Sequence, residues 1–480
     1  MFANKSSQGL KHHGLRFLLY FFGLSLIALS YWTQRYFGQV TISQLLSSIN
    51  FDMQGALTAD YMFMKRLIEW CLWWPFVVAL LLLPLTAFCL NGRMQYWLGI
   101  GLIVYGFILL GKQYSVLLFI NELRQPDKDY FAEHYVDPAN VSFKLNHPKN
   151  LVLIYLEGME QTYSDKLLFG RDLLSSFNQL NVSHLSYQSF EQMPGASWTI
   201  AGIIASQCGV PLRLMTIFNG NRLGNYLNHY LPGAVCLSDI LAKLGYQNIF
   251  MKGASLQFSG MNTFLNDHAY VEAYGREEWL ARGIAESSMN AWGLPDDLLF
   301  AQAKSRLDEL MKTGKLFNLT LLTVDTHGYD GFINKTCSAS KGHSFDQIVE
   351  CSAGEAADLV NYIRAKGWLD KVNVVVLGDH LAMGNAVYEK IQPSKHRLIF
   401  NMILTKNKLT KNRDEVFHVD FLPTLLKLSG VQFKGDRLGL GYSALGRTHL
   451  PLESDRFTAL CSQVNVNSPV YNALWLGKRD

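Results

Sequence analysis

The sequence predicts an α/β protein in which N-terminal transmembrane helices precede a doubly wound, mostly parallel sheet. Three observations carry this. The runs Leu151–Leu156, Leu319–Val324 and Val372–Leu377 are short, apolar and free of polar alternation, which is how a strand covered on both faces reads. Helix-length segments separate such runs from residue 150 onward, the alternation that builds a parallel sheet with helices on both faces. The apolar excess is concentrated before residue 120.

Leu15–Trp32, Ile68–Leu90 and Tyr96–Leu110 are the expected spans. Each lies near the roughly 20 residues that cross a bilayer once tilt and ragged ends are allowed. Glu69 and the group Trp70, Trp73, Trp74 open the second span, where an interfacial aromatic belt belongs. Val116–Ile120 leaves room for a fourth crossing or an interfacial helix. No small-residue cleavage site follows the first span, so an uncleaved anchor is expected. Lys5, Lys11 and Arg16 precede or open the first span and Arg93 follows the second. The positive-inside rule therefore puts the N-terminus in the cytoplasm, with Lys65 and Arg66 against the trend. Three crossings deliver the remainder to the other side. The expected organisation is a membrane anchor over 1–111, a connector over 112–150, an extracytoplasmic catalytic domain over 151–450 and a tail over 451–480.

Charged residues make up 17% of the chain, against about 25% in an average globular domain. The net charge of +4 is small, and no basic stripe or nucleic-acid motif is present, so no nucleic-acid partner is expected. Cys71 and Cys89 fall inside a span, as inert small apolar residues do. Cys337 and Cys351 bracket a polar loop suited to a disulfide in an oxidising compartment. Cys208 and Cys236 can form a second bridge, leaving Cys461 odd; spacing alone does not fix the pairing. No two cysteines have the close spacing of a zinc site.

Along the domain, the strand Leu151–Leu156 leads to a helix over Leu167–Leu180 and a strand over Val182–Phe190. A turn at Gly195–Trp198 opens a short helix, Thr199–Gln207. Gly245 ends a helix over Leu237–Leu244, and the strand Asn248–Lys252 follows. The long helix Asp296–Thr313 precedes the strand Leu316–Val324, and the helix Gly354–Lys366 precedes Val372–Leu377. A final helix, Phe421–Leu428, ends near Gly430.

Open parallel sheets place their ligands beyond the carboxyl ends of the strands. Glu157 follows the first apolar run, Asp325 and His327 the second, Asp379 and His380 the third, so all are expected to meet in one crevice. Carboxylate oxygens, an imidazole and a hydroxyl suit a hard or borderline divalent cation beside a nucleophile. The hydroxyl is either Ser197 or Thr199, both in the turn at the helix start. Each has an N-capping role as its alternative, and a nucleophile there would sit where helix N–H groups attract a phosphate. Asp325 could instead open the turn before Gly328. His418 and Asp420, before the last helix, read as capping and dipole-compensating residues, Asp420 above all.

Five segments together resemble bacterial phosphoglycerol transferase I: Tyr155-Leu-Glu-Gly-Met-Glu-Gln-Thr-Tyr163, Met193-Pro-Gly-Ala-Ser-Trp-Thr-Ile-Ala-Gly202, Ala205-Ser-Gln-Cys-Gly-Val-Pro-Leu212, Thr323-Val-Asp-Thr-His327 and Leu377-Gly-Asp-His-Leu-Ala-Met383. That family sits with lipoteichoic acid synthases and phosphoethanolamine transferases in the alkaline phosphatase/sulfatase superfamily, and the resemblance covers roughly residues 115–445. It implies a sheet of alkaline phosphatase/sulfatase type in the periplasm, anchored in the bacterial inner membrane. It implies Glu157, Thr199, Asp379 and His380 as ligands of one divalent metal, Mn or Mg with Zn as a further option. By the family's spacing Thr199 is favoured over Ser197 as nucleophile, and His327 stands near the transferred phosphate. The donor pocket departs from the lipoteichoic acid synthases: Lys252 replaces a histidine, and Ser259 and Met261 replace a tryptophan and an arginine.

The function implied is metal-dependent transfer of phosphoglycerol from phosphatidylglycerol to a periplasmic glucan or other glycan through a covalent phospho-enzyme. Phosphoethanolamine transfer is the alternative within the superfamily, and a catalytically inactive binding or assembly protein is the alternative outside enzymes. A sulfatase-like hydrolase is disfavoured, because Ser197-Trp-Thr-Ile-Ala lacks the C/S-x-P-x-R context in which formylglycine is made.

Overall fold

The computed structural model describes residues 2–38, 40–42, 45, 61–122, 129–180, 182–213, 228–337, 344–394, 396–406, 408–446, 456–463 and 467–477. Residues 338–343 of the polar loop between Cys337 and Cys351 and parts of the expected connector and tail lie outside them, as do the side chains of Lys5 and Lys11.

The chain divides into two compact units: residues 1–45 with 56–120, and residues 46–55 with 121–480. In the first, α1 (Phe2–Phe37), α2 (Tyr61–Ile68), α3 (Trp74–Cys89) and α4 (Gly92–Gln113) form a helical hairpin assembly. One π-turn, Glu69–Trp73, joins α2 to α3. His12–Phe37, Met64–Cys89 and Gly92–Gln113 are long and apolar enough to cross a membrane. Close packing of α1 on α4 rests on small residues: a Cβ at Gly99 would fall 2.7 Å from that of Leu19, and one at Gly106 2.7 Å from that of Leu26. Small residues of this kind are what let apolar helices approach without a hydrophobic driving force. Val116–Glu122 is a separate helix of 7 residues, too short to cross a bilayer.

The second unit is built on a seven-stranded sheet. Its strands are β1 (Asn150–Leu156), β2 (His184–Leu185), β3 (Gln247–Lys252), β4 (Glu272–Tyr274), β5 (Phe317–Leu322), β6 (Val372–Gly378) and β7 (Asn401–Leu404). Their order is β2-β7-β6-β1-β5-β3-β4. The five strands from β6 to β4 are parallel, while β7 runs against both its neighbours. Successive side chains explain the unbroken apolar runs. Leu151, Leu153 and Tyr155 enter the core on one face, and Val152, Ile154 and Leu156 enter the core on the other. On the first face lie α5 (Thr199–Cys208) and, later in the chain, α8 (Phe421–Leu428). On the second lie α6 (Asp296–Thr313) and α7 (Phe345–Ala365).

Three elements differ from expectation. The segment 167–180 holds two one-turn helices, Lys166–Phe169 and Ser175–Asn178, because Gly170 takes a left-handed conformation with φ of 73° and ends the first. The segment 182–190 is not one strand: β2 joins the main sheet, and Ser189–Glu191 pairs with Glu415–Phe417 instead. Helix α7 starts nine residues early, at Phe345, where Ser344 and Gln347 form a capping box. Residues 130–150, expected as a connector, are built into this unit: Lys144–Leu145 pairs with Val431–Gln432, and Val136 bridges Gly439.

Cys208 pairs with Cys236 and Cys337 with Cys351, leaving Cys71, Cys89 and Cys461 as free thiols. Protein taken from its native membrane is expected to leave all four paired cysteines unalkylated until reductant is added, as peptide mass spectrometry will read. Opening the Cys337–Cys351 loop, whose ends are 14 residues apart, is expected to cost about 3 kcal/mol of stability.

Candidate active site

Three backbone ends bring the site together. Glu157 follows β1, Asp379 and His380 follow β6, and Thr199 is the first residue of α5. Helix α5 can press this close because Gly202, one turn after Thr199, has no side chain. A Cβ there would fall 2.0 Å from the Asp379 carbonyl oxygen. The same oxygen accepts a 2.8 Å hydrogen bond from His418 Nε2. Burial pushes His418 down to about 4, so it donates as a neutral imidazole. The backbone of Glu157 is held just as firmly: its N–H donates to Thr323 Oγ1 at 2.9 Å, and its carbonyl accepts from Thr326 Oγ1 at 2.7 Å.

The donor atoms converge. Thr199 Oγ1 donates to Glu157 Oε2 at 3.0 Å and lies 3.5 Å from His380 Nε2. His380 Nε2 stands 3.3 Å from Glu157 Oε1 and 3.4 Å from Asp379 Oδ2. Asp379 Oδ1 accepts from the N–H groups of Gly158 and His380, each at 2.8 Å, whereas the buried Asp379 Oδ2 has no hydrogen-bond partner. His380 Nδ1 meets the Leu381 carbonyl at 2.8 Å. A proton on Nδ1 leaves the Nε2 lone pair facing the carboxylates, the tautomer a metal ligand needs. Glu157, Asp379 and His380, with Thr199 beside them, thus offer oxygen, nitrogen and one orphaned carboxylate oxygen to a single point. That donor set fits a divalent cation.

Charge coupling within the group is strong. Burial alone would raise Glu157, but His327 and His380 outweigh it and hold the carboxyl at about 2. Burial and the Glu157 charge push Asp379 up to about 7. Burial opposes a charged His380, yet Asp379 and Glu157 overcome it and raise the ring to about 9. A cation on these groups takes the place of protons, so its binding weakens as pH falls. Lys252, buried at the end of β3, is pushed down to about 8 by burial, with Glu157 and Glu277 acting against the shift.

Two expectations are corrected. Asp325 does not join the crevice. It turns toward Asp296 and Glu355 on the other side of the β5 end, where it accepts from Asn290 Nδ2 (3.1 Å), Asn334 Nδ2 (2.9 Å) and the Asp296 N–H (3.2 Å). Ser197 is not the helix cap: Trp198 holds the N-cap position of α5, and no side chain caps it. Asp420 does close a helix start, accepting from the Phe417 N–H at 3.0 Å, and is also paired with Arg456 at 2.7 Å. His418, Gly202, Thr323 and Thr326 were not read as site-forming residues; only their tertiary contacts give them that role.

Residues 213–431 match the family model described as Sulfatase. Over 366 residues the chain is 35% identical to Phosphoglycerol transferase I of Salmonella agona (strain SL483), covering 74% of this chain and 46% of that protein. It is 36% identical over 339 residues to Phosphoglycerol transferase I of Escherichia coli O127:H6 (strain E2348/69 / EPEC), covering 68% and 42%. The chain thus spans less than half the length of these curated relatives. The crystal structure of a protein in the alkaline phosphatase superfamily from Vibrio parahaemolyticus aligns with a TM-score of 0.51 at 17% identity, over 76% of this chain and 96% of that one. Fold and site therefore define the class: a sulfatase-type α/β domain with the alkaline phosphatase superfamily fold. More narrowly, the chain is similar over most of its length to the bacterial phosphoglycerol transferase I proteins.

Asp379→Asn and Glu157→Gln are each expected to lower bound divalent metal by about tenfold or more without loss of secondary structure, since both lie beyond strand ends. Elemental analysis after dialysis, beside circular dichroism, checks this; unchanged metal in both variants would put the ion elsewhere. The second acidic group gives a pH signature. Burial raises Asp296 to about 7 and Asp325 well above the carboxylate range, and burial with the Asp296 charge raises Glu355 to about 9. Raised carboxyls hold protons in the fold that the unfolded chain has released, so their stabilisation is complete below about pH 4 and is lost as pH rises through 7 to 9. The thermal unfolding midpoint of the full chain is expected to fall progressively as pH rises from about 4 to 9, and Glu355→Gln is expected to flatten the part of the fall above pH 7.

Proposed function

We propose that this protein transfers phosphoglycerol from phosphatidylglycerol to a glycan through a phosphothreonine-type intermediate on Thr199. The observation that carries the reading is the Thr199 hydroxyl, 3.0 Å from Glu157 and 3.5 Å from His380, at the N-terminus of a 10-residue buried helix. Such an N-terminus favours an incoming phosphate. Homology to the phosphoglycerol transferase I proteins supports the choice of group. Three apolar N-terminal helices and two disulfides support an anchor in the bacterial inner membrane with the domain in the oxidising periplasm.

Glu157, Thr199, Asp379 and His380 would hold one divalent cation, Mn, Mg or Zn, which when bound lowers the hydroxyl pKa and neutralises charge on the phosphoryl oxygens. Thr199 Oγ1, acidified when the cation is bound, would lose its proton to solvent and attack phosphorus. The bond from phosphorus to the diacylglycerol oxygen breaks, and His327 gives that oxygen its proton. In the second half a glycan hydroxyl loses its proton to His327 and attacks phosphorus. The bond to Thr199 Oγ1 then breaks and the oxygen takes a proton back from solvent. Lys252, which acts on Glu157 from the end of β3, supplies positive charge for the donor phosphate.

Ser259 and Met261 at the donor side leave phosphoethanolamine transfer as the second reading, and analysis of the head group carried by modified glycans separates the two. Thr199→Ala is expected to abolish both diacylglycerol release from phosphatidylglycerol and the covalent adduct seen by intact mass, while Ser197→Ala keeps most of both. Full transfer by Thr199→Ala would overturn the assignment, and no diacylglycerol release by the wild type with any divalent metal would overturn the function.

A further inference from the structure

His327 is not isolated at the end of β5. Its ring packs on Trp292, with centroids 4.2 Å apart, and meets Phe258 edge-on at 6.3 Å; Phe258 and Trp292 are themselves 5.5 Å apart, edge to face. All three remain half-exposed. Neither aromatic ring takes part in the phosphoryl chemistry derived above.

Separate backbone devices hold the two rings in place. Asn290 Oδ1 accepts from the N–H groups of Trp292 and Gly293, each at 2.9 Å, and Asn290 Nδ2 donates to Asp325, two residues before His327. Gly293 lies so close to the end of β3 that a Cβ would fall 2.0 Å from the Gly253 oxygen. Phe258 is presented by a one-turn 3-10 segment in which Ser259 adopts φ of 58°, a left-handed conformation that costs a non-glycine residue about 1 kcal/mol. Strain of this kind persists where the surroundings over-determine it, and it clusters at ligand sites.

We infer that Trp292 and Phe258 are the acceptor subsite, a platform on which the apolar face of a sugar ring rests while one of its hydroxyls meets His327. This rests on the reading that His327 takes the proton of the acceptor hydroxyl. An aromatic face carries partial negative charge, so it repels the anionic donor phosphate and attracts the C–H groups of a pyranose. Glycerol carries a hydroxyl on every carbon and has no apolar face to offer. An ammonium head group would also favour such rings, but Lys252 and His327, both acting on Glu157, oppose a cation there. In the step served, the acceptor oxygen–phosphorus bond forms, the phosphorus–Thr199 Oγ1 bond breaks, and the acceptor proton passes to His327 as Thr199 takes one back from solvent.

The test uses the full chain with phosphatidylglycerol vesicles and a soluble gluco-oligosaccharide. Trp292→Ala is expected to raise the KM for the oligosaccharide about tenfold, the change made by one contact of about 1.4 kcal/mol, with a smaller effect on kcat. Phe258→Ala is expected to raise it less, and Trp292→Tyr is expected to restore most of the affinity, which a loss of packing alone would not predict. Adduct formation without acceptor is expected to fall less than transfer does. A Trp292→Ala variant with an unchanged oligosaccharide KM overturns the platform. Equal losses in adduct formation and transfer assign the rings to the donor instead, and a Trp292-dependent gain with phosphatidylethanolamine vesicles assigns them to an ammonium head group; either result overturns it. Calorimetric binding of the oligosaccharide to wild type and Trp292→Ala reads the platform without turnover. Failure of the Thr199 chemistry is therefore distinguishable from failure of this inference.

Discussion

The contact on which the site depends is the seat of α5 against the end of β6. Gly202 faces the Asp379 carbonyl with no room for a single added carbon, and His418 ties the same carbonyl from the other direction. Ser206, one further turn along α5, is bound to Tyr155 of β1 at 2.6 Å. These contacts fix one helix against two adjacent strands. The Thr199 hydroxyl then has a single position, beside Glu157 and His380. A helix that rode one ångström higher would leave the carboxylates and the hydroxyl as separate groups, and misplacement on that scale is enough to cost orders of magnitude in rate.

The two ends of the sheet are treated in opposite ways. At the amino ends, buried asparagines bond one another and the backbone: Asn318 donates to Asn248 at 3.1 Å, Asn150 accepts from the Phe317 N–H at 3.0 Å, and Asn373 reaches the Leu428 carbonyl at 2.7 Å. These bonds satisfy most of the buried amide atoms, with Asn318 Oδ1 left over. At the carboxyl ends, charged groups are buried, and the desolvation cost must be offset by protons, partners or a cation. The two acidic groups there meet it differently. Asp296, Asp325 and Glu355 are surrounded by donors from Asn334, Ser352 and backbone N–H groups and hold protons. Each group keeps one buried carboxylate oxygen without a partner, Glu355 Oε2 in the first and Asp379 Oδ2 in the second; the second differs in setting the His380 imidazole and the Thr199 hydroxyl beside its carboxylates.

The anchored arrangement and the relatives bear on function at different levels. Sulfatase-type fold and metal-ready donors are shared widely, so they speak to reaction class. Trp292 and Phe258 form an aromatic wall beside His327. Function is decided by such grafted walls more than by the sheet beneath them.

The sequence by itself determined the central parallel strands and the three apolar spans, because burial on both faces and membrane length each leave a mark on consecutive residues, but not the outer strands Glu272–Tyr274 and Asn401–Leu404. It also determined that Glu157, Asp379 and His380 would lie beyond strand ends, since those ends were visible as breaks in apolar runs. Only the tertiary structure decided which of them share a point. Asp325 and His327 are two residues apart yet face different surroundings: Asp325 turns toward Asp296 of α6 and Glu355 of α7, while His327 packs on Trp292 and acts electrostatically on Glu157. For Gly202, His418, Thr323, Thr326 and Trp292 no local pattern shows the contacts they make. Their roles come from contacts between segments distant in the chain, and a contact between distant segments has no periodicity for a sequence to display.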